Sequence, residues 1–468
     1  SIAFIISSDN ICFILIYLCM LEEKINGYLK DLFPLNRSLT GDDNLKTIQY
    51  LIDNILEGGN IKSISSGEKA FDWEVPSEWN VKEAYVKNKF GNKIIDFKKN
   101  NLHLVSYSTP FKGVISKEEL LKHIHTLPEK PNSIPYRTTY YNRKWGFCCS
   151  ENLIKSSEFE GPFDVFIDSS FNDNGKLNWL EYKKKGASNK EILISSYLCH
   201  PSLANDNLSG IILSCLLMRK LNEINTHYTY RLIIVPETIG SISFLSQTNT
   251  DNIIGGMIIT CVGGNDKLSL KEGFDSSHWI NEAAHLSLKS ITDGNYLTYP
   301  FVPDGSDERQ YSSPEFRIVT PSIHKSKYYE YDEYHTSDDN LSFISSKNIL
   351  QSLEVYIKWI KNIESYCYPE RIMKSCEFQL GKRGLYPVLG GTLNQKVHEE
   401  NKNGFDLRKF DFNNLTGKHL DAFHWLMHLS DSNNSNFEIA RISKINIEII
   451  NESIEIFKIK KLLKVNKN

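Results

Sequence analysis

Four short segments carry residue types that bind metal ions and move protons, and each lies beside a run of apolar residues. "SSYLCHPSLANDNLSG" (195–210) places His200 after one apolar run and Asp206 at the mouth of the next. "VPETIGS" closes a second run on Glu237, and "IITCVGG" closes a third on Cys261. "HTSDDN" sets His335 ahead of a long periodic stretch. Imidazole nitrogen, carboxylate oxygen and thiolate sulfur are all zinc ligands. A carboxylate can also bridge two ions and help to activate a shared water.

Each residue taken alone has a plainer reading. His200 can be a hydrogen-bonded structural residue, and Asp206 can N-cap the helix that starts near Asn207. Glu237 can answer an arginine, His335 with Asp338 can open a helix, and Cys261 can be a small buried apolar side chain. Their joint placement at the ends of separate strands is what points to chemistry.

The elements that must position them follow from hydrophobic patterning. "DVFIDSSF", "EILISSYLC", "YRLIIVPE", "IIGGMIITCV" and "RIVTPSI" are short apolar runs suited to buried strands. Between them "LSGIILSCLLMRKLNEI" and "FISSKNILQSLEVYIKWIKNIES" have helical periodicity. This alternation predicts an α/β fold, a mainly parallel mixed sheet flanked by helices, whose ligands bind beyond the carboxyl ends of the strands. Residues 22–59 read as helical with a break at "LFPLNRSLTGDD". From about residue 65 alternating aromatic and apolar residues predict a β-rich module. Beyond Pro369 three helical stretches resemble a winged-helix module.

At 468 residues the chain exceeds one ordinary core. A net charge of −3 argues against nucleic acid as the main partner, and the C-terminal lysines are interleaved with Glu and Ile. Nine cysteines without CxxC spacing fit a reducing, cytoplasmic setting better than a disulfide framework. The apolar run at 11–21 is too short to span a bilayer and is expected to be an extension or a docked helix.

The order of His200, Asp206 in "NDNLSG", Glu237, a late Ser-Asp segment and a final "HT..D" resembles the co-catalytic zinc aminopeptidases. Longer motifs, "LFPLNRSLTGDD", "FDWEVPSEWNV", "LHLVSYSTPF", "IPYRTTYYNRKWGFC", "LCHPSLANDNLSG", "VPETIGS" and "GKRGLYP", resemble the aminopeptidase-like proteins of polysaccharide-biosynthesis clusters. The resemblance implies an N-terminal extension (1–20), a peptidase-like core (21–68 and 161–370), an inserted β-rich domain (69–160) and a linker with a winged-helix-like domain (371–468). It implies one or two zinc ions on His200, Asp206, Glu237, His335 and Cys261, with Asp206 as the bridge. Glu237 and Asp307 are then the catalytic acids, Asp304 and Glu308 spare carboxylates, and Arg309 and Tyr311 candidate substrate contacts.

The implied activity is zinc-dependent hydrolysis of an amide bond in a peptide or an N-acylated sugar. Self-association or a protein partner is expected through the C-terminal module. This chain departs from the wider group at three places. Ser202 stands where a carboxylate usually supports the first histidine, Pro236 precedes Glu237 where a second Glu is usual, and Cys261 replaces an acid. The first two departures and the winged-helix-like tail favour the alternative reading, a catalytically degenerate binding or regulatory protein on the same core.

Overall fold

The structure, a computed structural model, describes residues 8–386 and 417–467. Part of the expected N-terminal extension (1–7) and of the expected linker (387–416, which includes Pro387 of "GKRGLYP") lies outside the described residues. The chain divides into two compact units after Lys358.

The first unit is built on an eight-stranded sheet. In chain order its strands are β1 (Asn60–Ser65), β2 (Lys176–Lys184), β3 (Glu191–Tyr197), β4 (Thr229–Val235), β5 (Ile253–Ile259), β6 (Leu268–Lys271), β7 (Leu297–Tyr299) and β8 (Ser322–Lys325). Their order across the sheet is β1-β2-β4-β3-β5-β8-β6-β7. The centre, β4-β3-β5-β8, is parallel, while β1, β2 and the β8-β6 pair run antiparallel. The α/β reading is therefore borne out. Every residue of β3 and β4 is buried, which "EILISSY" and "TYRLIIV" allow because their side chains suit a strand covered on both faces. Helix α1 (Ser8–Leu32), α2 (Gly210–Asn222) and α3 (Ile239–Gln247) are among those around the sheet. Helix α1 begins earlier than the helical reading from residue 22.

The inserted module is a four-stranded antiparallel sheet with strands 93–96, 78–87, 163–172 and 111–115 side by side. One expectation is corrected here. "DVFIDSSF" is not a strand of the parallel core but lies within a central strand of this module, pairing with 78–87 and 111–115. Its burial alternates along much of its length, as a sheet with one wetter face requires.

In the second unit, helices at 417–429, 436–443 and 447–459 pack together, and strand 463–466 pairs antiparallel with 368–371. A capping box, Ser435 with Glu438, fixes the start of the middle helix. Among the described residues no helix is long and apolar enough to cross a membrane.

Candidate metal centre

β3 ends at Tyr197, and the chain runs on through Cys199 to His200 before an irregular turn at 204–209 leads into α2. This loop is fully buried, so its polar groups need partners inside the protein. Asn205 Oδ1 accepts from the backbone N–H of Gly263 (2.9 Å) and Gly264 (3.1 Å). Asn207 Nδ2 donates to Tyr197 O at 3.1 Å. The Asp339 carboxylate accepts from the N–H of Asn205 (2.6 Å) and of Asp206 (3.0 Å). At Gly210 a Cβ would fall 2.6 Å from Ile259 O, so only glycine lets α2 start this close to β5. The "NDNLSG" run is thus polar because its side chains pin a buried loop.

That loop aims Asp206 at both histidines. Asp206 Oδ1 accepts from the Tyr197 hydroxyl at 2.5 Å, and Oδ2 lies 3.0 Å from His335 Nε2 and 3.9 Å from His200 Nε2. Asp206 Oδ2 and His335 Nε2 face each other at that 3.0 Å, and neither has another hydrogen-bond partner among the described residues. One ligand atom from each of the three residues lies within 4.8 Å of the others, a spacing that a single ion can close. Asp206 does not cap the helix, since α2 begins with no side-chain cap.

The electrostatics suit ligands. Burial holds the His200 imidazole down at about 4, against the pull of Asp206 and with the help of His335 and Arg37. Burial pushes the Asp206 carboxyl up, but His200, His335 and Tyr197 outweigh it and hold the group at about 2. At neutral pH the site therefore presents a neutral His200 ring and a carboxylate, the forms that bind metal.

His200 is oriented without the usual carboxylate. Its Nδ1 lies 3.6 Å from Cys199 Sγ, its carbonyl accepts from Arg37 Nη2 at 3.1 Å, and its ring packs between Tyr136 and Tyr197, each 5.2 Å away. Ser202 faces the inserted module instead, accepting from Asn101 Nδ2 at 3.0 Å. His335 stacks on Tyr334 at 3.9 Å, and its carbonyl accepts from Tyr136 N at 2.8 Å. The segment around Tyr136 comes from the inserted module, which therefore walls the site.

Glu237 follows β4. Its N–H donates to Cys199 Sγ at 3.1 Å, and its Oε2 stands 3.9 Å from His200 Nε2 with 23% of the side chain exposed. Its ligand atom groups with Cys199 and His200, not with the Asp206–His335 pair. Burial, then Asp307 and Asp206, push its carboxyl well above the usual range. Asp307 Oδ1 accepts from Thr238 N (2.7 Å) and Ser241 Oγ (2.8 Å), so it holds the turn that carries Glu237. Burial raises the Asp307 carboxyl to about 6.

The remaining candidates are placed differently. The Cys261 thiol approaches Asp206 Oδ1 at 3.9 Å, on the oxygen turned away from the histidines, and sits in a fully buried nest with Tyr328 and Tyr331. Tyr311 is corrected as a substrate contact: it is fully buried, and its hydroxyl lies 2.8 Å from Ser195 Oγ under the sheet. Glu308 is no spare carboxylate, because it pairs with buried Lys271. Asp304 is exposed, and Arg309 donates to Thr238 Oγ1 at 3.0 Å. Arg37, Tyr136, Tyr197 and Asp339 were missed. Their partners lie up to 163 residues away for Arg37, and no local pattern marks them.

This mixed sheet, with histidine and carboxylate at the ends of its parallel strands, matches the fold of zinc aminopeptidases. The Bacillus subtilis zinc aminopeptidase BSAP superposes with a TM-score of 0.53 at 12% identity, over 73% of this chain and 94% of that one. The chain belongs to the family described as domain of unknown function DUF4910, matched over residues 27–366. A Clostridium acetobutylicum protein provisionally named a polysaccharide biosynthesis protein with aminopeptidase-like domain is 38% identical over 421 residues, 89% of this chain and 90% of its own. A crystal structure from Clostridium acetobutylicum, provisionally called a peptidase, has a TM-score of 0.83 at 35% identity and covers 97% of this chain and 99% of that one.

Proposed function

We propose that this protein is a zinc-dependent, peptidase-like hydrolase of an amide bond, in a peptide or in an N-acylated sugar. The observation that carries the reading is the convergence of His200, Asp206 and His335, with Asp206 Oδ2 and His335 Nε2 buried and facing no polar partner but each other. Three metal-binding groups buried together with few other partners cost stability that a bound cation would offset. The donor set, two imidazoles and a carboxylate, is one that zinc favours.

His200, Asp206 and His335 would hold the ion, which when bound activates water and polarises a carbonyl. Glu237 is the proton acceptor. Its carboxyl edges into the open side of the site, and a basicity above the ordinary carboxylate suits taking a proton from water and returning it to the leaving nitrogen. Asp307 fixes the turn beneath Glu237, and Asp339 fixes the backbone beneath Asp206. Tyr136 narrows the approach over the two rings. The C-terminal helices are proposed as an association module, and a cytoplasmic setting is proposed from the cysteine usage.

Elemental analysis of the purified full chain, with turnover of aminoacyl anilides and N-acetyl sugars before and after chelation, tests the reading. Bound zinc and chelator-sensitive release of the amine are expected. A protein that holds no zinc and is unchanged by chelation overturns it. Zinc without turnover on either substrate class would favour the binding-protein alternative.

A further inference from the structure

The inserted module holds a pocket of about 370 Å³ one side chain removed from the wall of the metal centre. The linking residue is Tyr140, which lines the pocket. Its hydroxyl lies 3.2 Å from that of Tyr136, whose ring sits 5.2 Å from His200 and 5.1 Å from His335. The floor is Tyr107, buried, with Tyr140 and Phe171 standing edge-on to it at 6.0 Å each.

The rim is polar on two sides and aromatic on a third. Arg143 lies 3.8 Å over the Phe171 ring and donates to Ser77 Oγ at 2.9 Å, while Ser77 donates to Asp173 at 2.5 Å. Tyr141 donates to the Glu74 carbonyl at 2.8 Å, and Trp73 stands 6.1 Å from the Tyr141 ring. Trp73 and Tyr141 remain 42% and 48% exposed. Large aromatic rings held at the mouth of a cavity, beside groups that can both donate and accept, make a surface built for a ligand rather than for packing.

We propose that this cavity is a subsite for an uncharged hexopyranose ring, the sugar portion of the substrate. A pyranose offers a C–H face that stacks on an aromatic ring and a belt of hydroxyls that donate and accept at once. Glu74 and Asp173 accept from such hydroxyls, Arg143 donates, and Ser77 does either. An anionic sugar would meet two carboxylates against one guanidinium, and an apolar ligand would leave the rim unsatisfied.

The inference rests on the proposed function only for the word substrate. Binding is therefore measured on the chelated full chain, so that failure of the metal chemistry and failure of the subsite are distinguishable. The probes are methyl glucoside and methyl N-acetylglucosaminide at millimolar concentration, read by saturation-transfer NMR and titration. Transfer to ring protons is expected, with Kd weakened about tenfold or more in Tyr141→Ala and in Arg143→Ala. Both side chains are exposed, so folding should survive, and matching circular dichroism checks it. Phe90→Ala, which removes an exposed ring outside the cavity, should leave Kd unchanged. No transfer from either glycoside overturns the proposal, as does equal binding in all variants or equal weakening by Phe90→Ala.

Discussion

The two ends of the parallel strands treat buried charge in opposite ways. At the amino end, Glu191 on β3 accepts from Arg231 Nε at 2.6 Å and from Lys183 Nζ at 2.8 Å, and Arg231 also reaches Glu181 at 3.4 Å. Both carboxylate oxygens of Glu191 are used. At the carboxyl end, Asp307 Oδ2 is buried with no partner in the protein, and Asp206 Oδ2 and His335 Nε2 are buried with only each other, 3.0 Å apart. A fold tolerates a paired buried charge readily, whereas an unpaired one costs stability that packing elsewhere must offset. The contrast teaches that the carboxyl end is arranged for something added to it, and the amino end for the fold itself.

Asp206→Ala should break the contrast most sharply. Loss of the central carboxylate should abolish metal retention and lower turnover roughly 10³-fold, the scale on which losing a key electrostatic group acts. The chelated variant should lose only about 1–2 kcal/mol relative to chelated wild type, because the Tyr197 hydroxyl, which gives up its bond to Asp206 Oδ1, keeps Thr260 Oγ1 at 2.7 Å. Elemental analysis, turnover and denaturant titration read these together. A variant that keeps its metal, or that unfolds, would make the carboxyl end structural like the other.

Glu237→Gln separates holding the ion from moving the proton. Its ligand atom is not grouped with the Asp206–His335 pair, so metal content should persist while kcat falls roughly 10²–10⁴-fold, the range for a lost general base. Loss of the ion in this variant would make Glu237 a ligand instead.

How much of this was legible depends on whether a neighbour is set by a rule or by distance. Strand-end positions in a parallel sheet share one edge, so apolar runs ending on His200 and Glu237 are brought together by topology alone. The misplaced "DVFIDSSF" carried its own signal. Asp168, Ser169 and Ser170 break the apolar run into the alternation of a one-sided sheet, while "EILISSY" is buried throughout. Arg37, Tyr136 and Asp339 were not legible. Each acts through a backbone atom or ring brought near by tertiary folding, and an arginine in "LNRSLT" looks like any surface arginine. The partner of His200 was equally hidden, because the group beside its Nδ1 is the neighbouring Cys199 Sγ, at 3.6 Å, and not a carboxylate.

Glu191→Gln probes the paired end. Burial works against this carboxylate, but Arg231 and Lys183 together hold it below its ordinary value. A depressed native pKa contributes stability above the unfolded-state value, and that stability is lost as the pH falls through the native value. The variant should therefore be less stable than wild type at pH 7, by about 3 kcal/mol, the lower end of what breaking a buried pair costs. The difference should shrink below about pH 4. Denaturant midpoints across pH read it, and turnover should not change.

Asp307→Asn should show the reverse sign. Burial raises this carboxyl from 3.8 to about 6, so between those values the unfolded chain ionises while the native group stays protonated. In chelated wild type, stability is thus lost as pH rises from about 4 to about 6 and stays lost above that. Asparagine keeps an acceptor for Thr238 N and Ser241 Oγ and removes the titration. The chelated variant should match wild type near pH 4 and exceed it at pH 7, by about 1 kcal/mol after the cost of a new amide donor is subtracted. Opposite slopes for the two variants on one plot of stability against pH are the quantitative form of the contrast. Parallel slopes would mean that both ends bury charge for the same structural reason.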